Sequence, residues 1–345
     1  MNHKLLSFLL TLTLSLALFP NFSSAASNKI ILGYLTSDQS SIQSFRANYK
    51  SMNQMATDTF KVDANGKILG NTPVSSIALA NSNHILTYAA VSNYGKDDWD
   101  ATIAHNILSS TTIKKKFISN LLNIARTQHY KGINIDFESL SPNDRDLFSK
   151  FIQELSKTLT KYGLLTMVSV PAKQKDVLSD SWSGAFDYKS LGKSANFIQI
   201  MTYDETGPWW NLPGAVTSTP WLDASLKYAV SVIEPKKILM GLGAYGNDWN
   251  ITSGNIEDNR QLPLSEIPQL LKNTSGKPER NTTWNSMHFT YVDSNGETHE
   301  VWYDDSFSII QKAHFTVKYN LAGISIYAIG MEDKNFWNSL KIGLR

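Results

Sequence analysis

Residues 132–138 read Gly-Ile-Asn-Ile-Asp-Phe-Glu, with Ile133, Ile135 and Phe137 alternating against Asn134, Asp136 and Glu138. A period of two in so short a run argues for a β-strand. Residues i, i+2 and i+4 of a strand share a face, so an amide and two carboxyls form one row and three large apolar groups the other. Like charges that close raise at least one carboxyl pKa, which is how a proton donor is kept loaded near neutral pH. Taken alone, the stretch could equally be a half-exposed strand whose acidic row meets only water.

Strand-like apolar runs continue on both sides of it, at 30–35, 54–62, 84–92, 132–137, 164–170, 197–203, 237–242 and 322–328. Helical patterns fall between most of them, most clearly at 102–126 and 144–161. In the second of these Leu147, Phe148, Phe151, Ile152, Leu155 and Leu159 repeat at helical spacing behind a Ser141-Pro142 start signal. Strands alternating with helices imply a parallel sheet, and eight of them imply an α/β fold of the closed (β/α)8 TIM-barrel kind. Active sites of that fold lie at the C-terminal ends of the strands, where Glu138 ends the fourth.

One stretch breaks the alternation. The roughly 60 residues from 243 to 305 exceed what a helical crossover needs. Within them 287–292 and 298–303 flank Asp293-Ser294-Asn295-Gly296, a hairpin with its turn. The expectation is a small α+β insertion between the seventh and eighth strands, with 247–277, polar and rich in turn formers, irregular.

Composition narrows the class. The chain has 345 residues, 42% of them hydrophobic, and a net charge of +2 from 32 basic and 30 acidic side chains. No basic stripe is present, so nucleic acid is not an expected partner. Lys4, an apolar run over 5–19, Pro20 and the small residues Ser23-Ser24-Ala25-Ala26 read as a signal peptide over 1–26, cut after Ala25 or Ala26, with 27–345 as the mature chain. The alternative is an uncleaved anchor, which the shortness of the apolar run disfavours; no second run is long enough to span a bilayer, so no stable membrane insertion is expected. The chain has no cysteine, which leans toward a bacterial exported protein, secreted or wall-associated. The Asn-x-Ser/Thr matches at Asn250, Asn273 and Asn281 are then chance occurrences.

Residues 132–138 resemble the catalytic strand of glycoside hydrolase family 18, the chitinase-like barrels, whose signature is Asp-Gly-x-Asp-x-Asp-x-Glu. Other segments resemble that family in the right order: Gly33-Tyr34 at the first strand, Met201-Thr-Tyr-Asp204 at the sixth, Met240-Gly-Leu-Gly-Ala-Tyr-Gly246 at the seventh and Gly323-Ile-Ser-Ile-Tyr-Ala-Ile-Gly330 at the eighth. Within it, the branch of bacterial spore-germination and cortex-lytic N-acetylglucosaminidases is most similar. It carries Asn where Asn134 stands, and a segment like Val301-Trp-Tyr-Asp-Asp305. Tyr88-Ala-Ala-Val-Ser-Asn93 occupies the place of the Ser-x-Gly-Gly motif of chitinases and fits that branch better. The resemblance covers the whole mature chain. No LysM wall-binding repeat accompanies it.

The resemblance implies that Glu138 is the general acid and then the base, that Asp136 orients the substrate's 2-acetamido group, that Tyr203 hydrogen-bonds its carbonyl oxygen, and that Asp204 holds that group or Tyr203. Met201, Asn134, Tyr34, Tyr245 and Tyr327 are carried along as substrate-site residues. The spacing agrees with a substrate-assisted reaction. Ordinary retaining glycosidases set two carboxyls about 5–5.5 Å apart across the bond, whereas Asp136 and Glu138 are neighbours on one strand face, so the missing nucleophile is best supplied by the sugar's own N-acetyl oxygen. The implied partner is a polysaccharide with 2-acetamido sugars, peptidoglycan or chitin, cleaved by a monomer without cofactor or metal. A chitinase, or a non-catalytic chitinase-like lectin, are the alternatives.

Two signature positions differ. Lys131 replaces the first Asp and Asn134 the second, which implies an Asp136 without an acidic partner that stays ionised to lower pH than in a two-Asp site. Trp209-Trp210 follow the sixth strand beside Gly207-Pro208, and at least one is expected to wall a sugar subsite. Tyr245, Trp249 and Trp302 are weighed as packing before platform. Asp305 reads as a helix cap, Glu332 as a further acidic candidate and Glu205 as solvated. His84, His288 and His299 read as structural strand residues, without metal-ligand spacing.

Overall fold

A computed structural model describes residues 29–345; the signal segment read above lies outside them. The eight expected strands form: β1 Ile30–Leu35, β2 Gln54–Val62, β3 Leu86–Ser92, β4 Gly132–Asp136, β5 Leu165–Pro171, β6 Phe197–Met201, β7 Ile238–Gly243 and β8 Gly323–Tyr327. Each lies parallel to the next, and β1 pairs with both β8 and β2, so the sheet closes on itself. A short antiparallel strand, Ile68–Gly70, extends β2 beyond the barrel wall. His84, expected in β3, sits instead in the exposed turn before it, at φ +58.

The apolar row of β4 fixes its register. Ile133, Ile135 and Phe137 are fully buried. The Phe137 ring stacks on Phe117, Phe148 and Phe151 with centroids 6.0, 6.3 and 6.2 Å away. These partners come from the flanking helices Thr111–Thr127 and Arg145–Thr160. A slip of one residue would drive Asn134, Asp136 and Glu138 into that aromatic layer, so the packing outside the barrel decides what faces inward. The helix Arg145–Thr160 buries Phe148, Phe151, Ile152, Leu155 and Leu159, the stripe its spacing predicts.

The helix expected over 102–126 is two helices, Ala101–Ser109 and Thr111–Thr127. Ser110 sits between them in extended conformation, and its hydroxyl accepts from Ile113 N at 3.3 Å. A cap signal inside a continuous apolar stripe was outweighed by the stripe.

Between β7 and β8 lies a second sheet, five antiparallel strands in the order Arg260–Pro263, Tyr245–Asn250, Thr298–Tyr303, Ser286–Val292 and Glu279–Asn281. The hairpin expected around Asp293–Gly296 is there. The irregularity expected over 247–277 is not: that stretch holds two strands of the sheet and the helix Ile267–Asn273. Tyr245–Asn250 is buried throughout, yet half of it is polar. Most of its polar groups find partners, Asn247 Nδ2 donating to Thr206 O at 3.0 Å and Asn250 Nδ2 to Glu297 at 2.7 Å, while Asn247 Oδ1 has none among the described residues; no hydropathy signal marks such a strand.

Candidate active site

β4 stops pairing at Asp136, and the chain carries on through Phe137 to Glu138 before turning at Ser139, whose φ is +53. A non-glycine residue in the left-handed region persists only where its surroundings hold it. Here the Asn93 side chain does so: its Oδ1 accepts from Glu138 N at 2.8 Å and its Nδ2 donates to Glu138 O at 2.9 Å. A third bond, from Nδ2 to Asp100 O at 3.1 Å, ties the clasp to the loop after β3. Asn93 closes the segment 88–93 quoted above, but nothing local in the sequence pointed to this role, since its partner is 45 residues away.

Inside the barrel, Asn134 is fully buried. Tyr34 donates to its Oδ1 at 2.6 Å, and its Nδ2 donates to Ser169 Oγ at 3.0 Å. Its amide is therefore engaged on both sides, between Tyr34 and Ser169. It does not bond Asp136 either. Asp136 Oδ1 is sealed from solvent with no hydrogen-bond partner among the described residues.

The acidic neighbour missing from the β4 row arrives from β2. Burial, then the charge of Asp58, pushes the Asp136 carboxyl up to about 7, against a weaker opposing pull from Ser169. This corrects the expectation of an Asp136 without an acidic partner. Burial also raises Asp58, whose one bond is from the Tyr327 hydroxyl at 3.3 Å. Glu138 is held well above the usual carboxylate range by burial, then by the charges of Asp136, Asp204, Asp58 and Asp98. Both causes favour its protonated form over the carboxylate. Asp58 was not singled out by the sequence, although Gln54, Ala56 and Asp58 alternate on one face.

The opposite wall is aromatic. Tyr203 lies just past β6, its ring stacked on Tyr327 at 5.9 Å and edge-on to Tyr245 at 6.5 Å. Gly241 makes room for it, since a Cβ there would come within 2.7 Å of the Tyr203 ring. Asp204 follows at φ +61 and accepts from the Tyr245 hydroxyl at 2.6 Å. Burial lifts its carboxyl to about 6 against that bond. Tyr245 is itself buried, so its place is behind Asp204, and Met201 packs with Tyr203, Val216 and Tyr245. The sequence motif at the sixth strand thus comes together with those of the first, fourth and eighth.

Trp209 and Trp210 stand exposed on the loop after β6, 46% and 48% accessible, edge to face at 5.6 Å. Trp249 and Trp302 are buried in the second sheet; Trp249 Nε1 donates to Trp210 O at 2.8 Å, and Trp302 packs between Trp284 and His288. Asp305 caps the helix Ser306–Ala313. Glu332 accepts from Gly330 N at 2.5 Å and Trp337 Nε1 at 2.9 Å, a structural brace. Glu205 is not solvated: it is half-buried and binds Ser218 N and Oγ at 2.5 and 2.9 Å, at the start of the helix Thr219–Val232. His299 bonds Asp248 at 2.9 Å. It also meets Asp293 and Glu297 with ligand atoms within 4.8 Å of one another, a grouping that spacing alone did not suggest. Glu297 there already binds Asn250, and Asp293 the backbone of its own turn. Among the described residues no helix is long and apolar enough to cross a membrane.

Comparison with known proteins agrees with this geometry. Residues 22–332 match the model of glycosyl hydrolases family 18. The chain is 40% identical over 316 residues to the uncharacterized glycosylase YvbX of Bacillus subtilis, covering 91% of each. It is 29% identical to a cortical fragment-lytic enzyme of Bacillus anthracis, over 88% of this chain and 70% of that one. Its fold superposes on the crystal structure of a chitinase from Chromobacterium violaceum with a TM-score of 0.86 at 33% identity, covering 92% of this chain and 99% of the other. With a family model matched over most of its length and a relative 40% identical along 91% of each chain, the chain belongs to glycosyl hydrolase family 18, as a glycosidase.

Proposed function

We propose that the protein is an exported enzyme that cleaves β-linked N-acetylglucosamine bonds of peptidoglycan, with retention, using the substrate's own acetamido oxygen as nucleophile. The observation that carries this reading is the placement of the two carboxyls: Asp136 at the end of β4 and Glu138 two residues on, where burial and neighbouring negative charge favour its protonated form. Glu138 protonates the leaving oxygen. Asp136 turns toward the acetamido N–H as the carbonyl oxygen attacks the anomeric carbon, and the Tyr203 hydroxyl hydrogen-bonds that carbonyl. Glu138, now ionised, takes a proton from the water that opens the cyclic intermediate. Asp204, fixed by Tyr245, supports Tyr203, and Tyr34 and Tyr327 floor the subsite with Asn134 behind them.

Peptidoglycan as the polymer is supported by the likeness to a cortical fragment-lytic enzyme, and export by the leader-like residues 1–26. The second reading is chitin, favoured by the likeness to a chitinase. Mass spectrometry of products from defined muropeptides and from chitin oligomers tests both. Cleavage of muropeptides at N-acetylglucosamine supports the first; cleavage of chitin oligomers alone supports the second. Release from neither, with retained binding, leaves a carbohydrate-binding protein. Equal cleavage of glycans lacking N-acetyl groups would exclude the acetamido mechanism.

A further inference from the structure

We propose that Asp58, on the second strand, is a positioning residue for the acid step: it stands in for an acid on the β4 row and sets the charge carried by Asp136 and Glu138. The inference rests on the assignment of Glu138 as the acid.

The backbone places Asp58 for this. Residues alternate across β2, and Ala56 packs with Leu32, Tyr34, Tyr88 and Ala90 inside the barrel. Thr57 points the other way, its hydroxyl 2.8 Å from the Tyr130 hydroxyl. Asp58 therefore faces inward with Ala56. Immediately after it the register breaks: Asp58 pairs with Ala90, but Phe60 pairs with Val91, so Thr59 is an extra residue. A bulge of this kind bends the strand and re-aims neighbouring side chains, and bulges are over-represented beside active sites. Ala90 pairs in turn with Asn134. Asp58 thus stands level with Asn134, one inward residue below Asp136. The inward side chain at the intervening position of β3 is only the methyl of Ala90, which leaves the space between the carboxyls open.

Both carboxyls are under-bonded. Asp58 has the Tyr327 hydroxyl at 3.3 Å, a long contact, and Asp136 Oδ1 has no partner among the described residues. Asn134 cannot serve either, because Tyr34 and Ser169 engage its amide. The groups facing the pair are acids and phenols: Glu138 from the end of β4, Asp98 after β3, Asp204 and Tyr203 after β6, Tyr34 of β1, Tyr245 of the second sheet and Tyr327 of β8. The charges that act most on Asp136 and Glu138 are all negative. Two such carboxyls do not both ionise cheaply, and the last proton is held by the group as a whole. Asp58 adds negative charge one inward residue below Asp136, on a different strand from the acid, and so helps keep Glu138 loaded.

The test is the pH profile of kcat/KM on a chromogenic chitooligosaccharide, with Tm recorded for each variant. Asp58→Asn removes the charge and keeps the shape. The alkaline limb moves to lower pH by about one unit, a roughly tenfold loss of rate at a pH above the limb, while the acid plateau changes little. Asn134→Asp in that background returns an acid to the interior and moves the limb back. Asn134→Asp alone moves it upward, which keeps the test open should Asp58→Asn fold poorly. A folded Asp58→Asn with an unmoved limb overturns the proposal, as does an Asn134→Asp that neither raises the limb nor rescues it. Glu138→Gln, run in parallel, separates the two claims. Lost turnover there with an unmoved limb in Asp58→Asn sinks the role of Asp58 alone; surviving turnover sinks the acid assignment and this inference with it.

Discussion

Two regions of this molecule bury carboxylates, and they treat them in opposite ways. In the second sheet every buried acid is matched. Lys312 reaches both oxygens of Asp304 at 2.6 Å and Ser286 at 3.0 Å. Asp248 collects Arg260 at 3.1 Å, His299 at 2.9 Å and the Tyr291 hydroxyl at 2.8 Å. At the barrel mouth Asp58, Asp136, Glu138 and Asp204 raise one another's proton affinity, or are raised by burial, and the bonds they receive come from phenols and hydroxyls. The first arrangement ties the strands of the sheet to one another through Asp248 and to the helix Ser306–Ala313 through Lys312. The second raises the proton affinity of its acids at a cost in stability, which is what a proton-donating site requires.

The largest expected effect breaks the second arrangement. Glu138→Gln keeps the shape and the Asn93 clasp but has no proton to give. Turnover falls by about 10²–10⁴-fold, and Tm stays level or rises, because an acid forced to hold its proton has been replaced by a neutral amide. Steady-state kinetics on a muropeptide or chitooligosaccharide, with a melting curve, checks both halves. Retained turnover would remove Glu138 from the mechanism.

The same disruption in the matched region has the opposite signature. Lys312→Met leaves Asp304 buried without its cation and costs about 3–5 kcal/mol of stability, read by denaturant unfolding. Adding Asp304→Leu to that variant recovers most of the loss, since neither charge is then stranded. The chemistry should survive wherever the fold does. An equal loss of stability on neutralising Asp136 would erase the contrast between the regions.

Neutralising Asp136 is the third and smaller effect, and pH decides it. Its carboxyl is raised in the fold to about 7 from an ordinary 3.8. A group raised in this way contributes its stability below the unfolded value and loses it as pH climbs through the folded one. Asp136→Asn should therefore match the parent in unfolding free energy near pH 4 and exceed it at pH 8, by up to a few kcal/mol at about 1.4 kcal/mol per pKa unit, read by denaturant unfolding at the two pH values. A variant less stable than the parent at pH 8 would show that the aspartate is paired after all.

How much of this was legible follows the same division. The β4 stretch announced itself because its two faces differ in kind, and the turn Asp293–Gly296 because turn chemistry is local. The strand Tyr245–Asn250 did not, because half of it is polar and the partners its side chains do find, such as Thr206 O and Glu297, lie 41 and 47 residues away. Asp58 escaped for a related reason. Its strand alternates, but Thr57 and Thr59 on the other face blur the polar row, and its meaning lies across β3 in the register with Asn134. Sequence periodicity reports which face a residue takes; it does not report what stands opposite. The departure at Asn134 read as a missing acid when the acid had only changed strands.

The smallest expected effect lies where the two regions meet. Trp209 and Trp210 project from the barrel loop, and the second sheet holds that loop through Trp249 Nε1 and the Trp210 carbonyl. This bond is to the backbone, so Trp210→Ala removes the ring and leaves the loop anchored. Trp209 lies close over Gly207, where a Cβ would come within 2.3 Å of its ring, so its orientation is set by the missing side chain below it. Each ring offers an apolar face to a sugar, and an aromatic contact of this sort is worth about 0.5–1.5 kcal/mol. Replacing either with Ala should raise KM by about 2–10-fold on long oligomers, with kcat and Tm nearly unchanged. The shortest cleavable substrate should feel the change less if the ring serves a remote subsite. A kcat that falls with KM constant would instead place the loop's role in ordering Asp204 at the chemistry, and the boundary between the holding region and the reacting one would have to be drawn farther out.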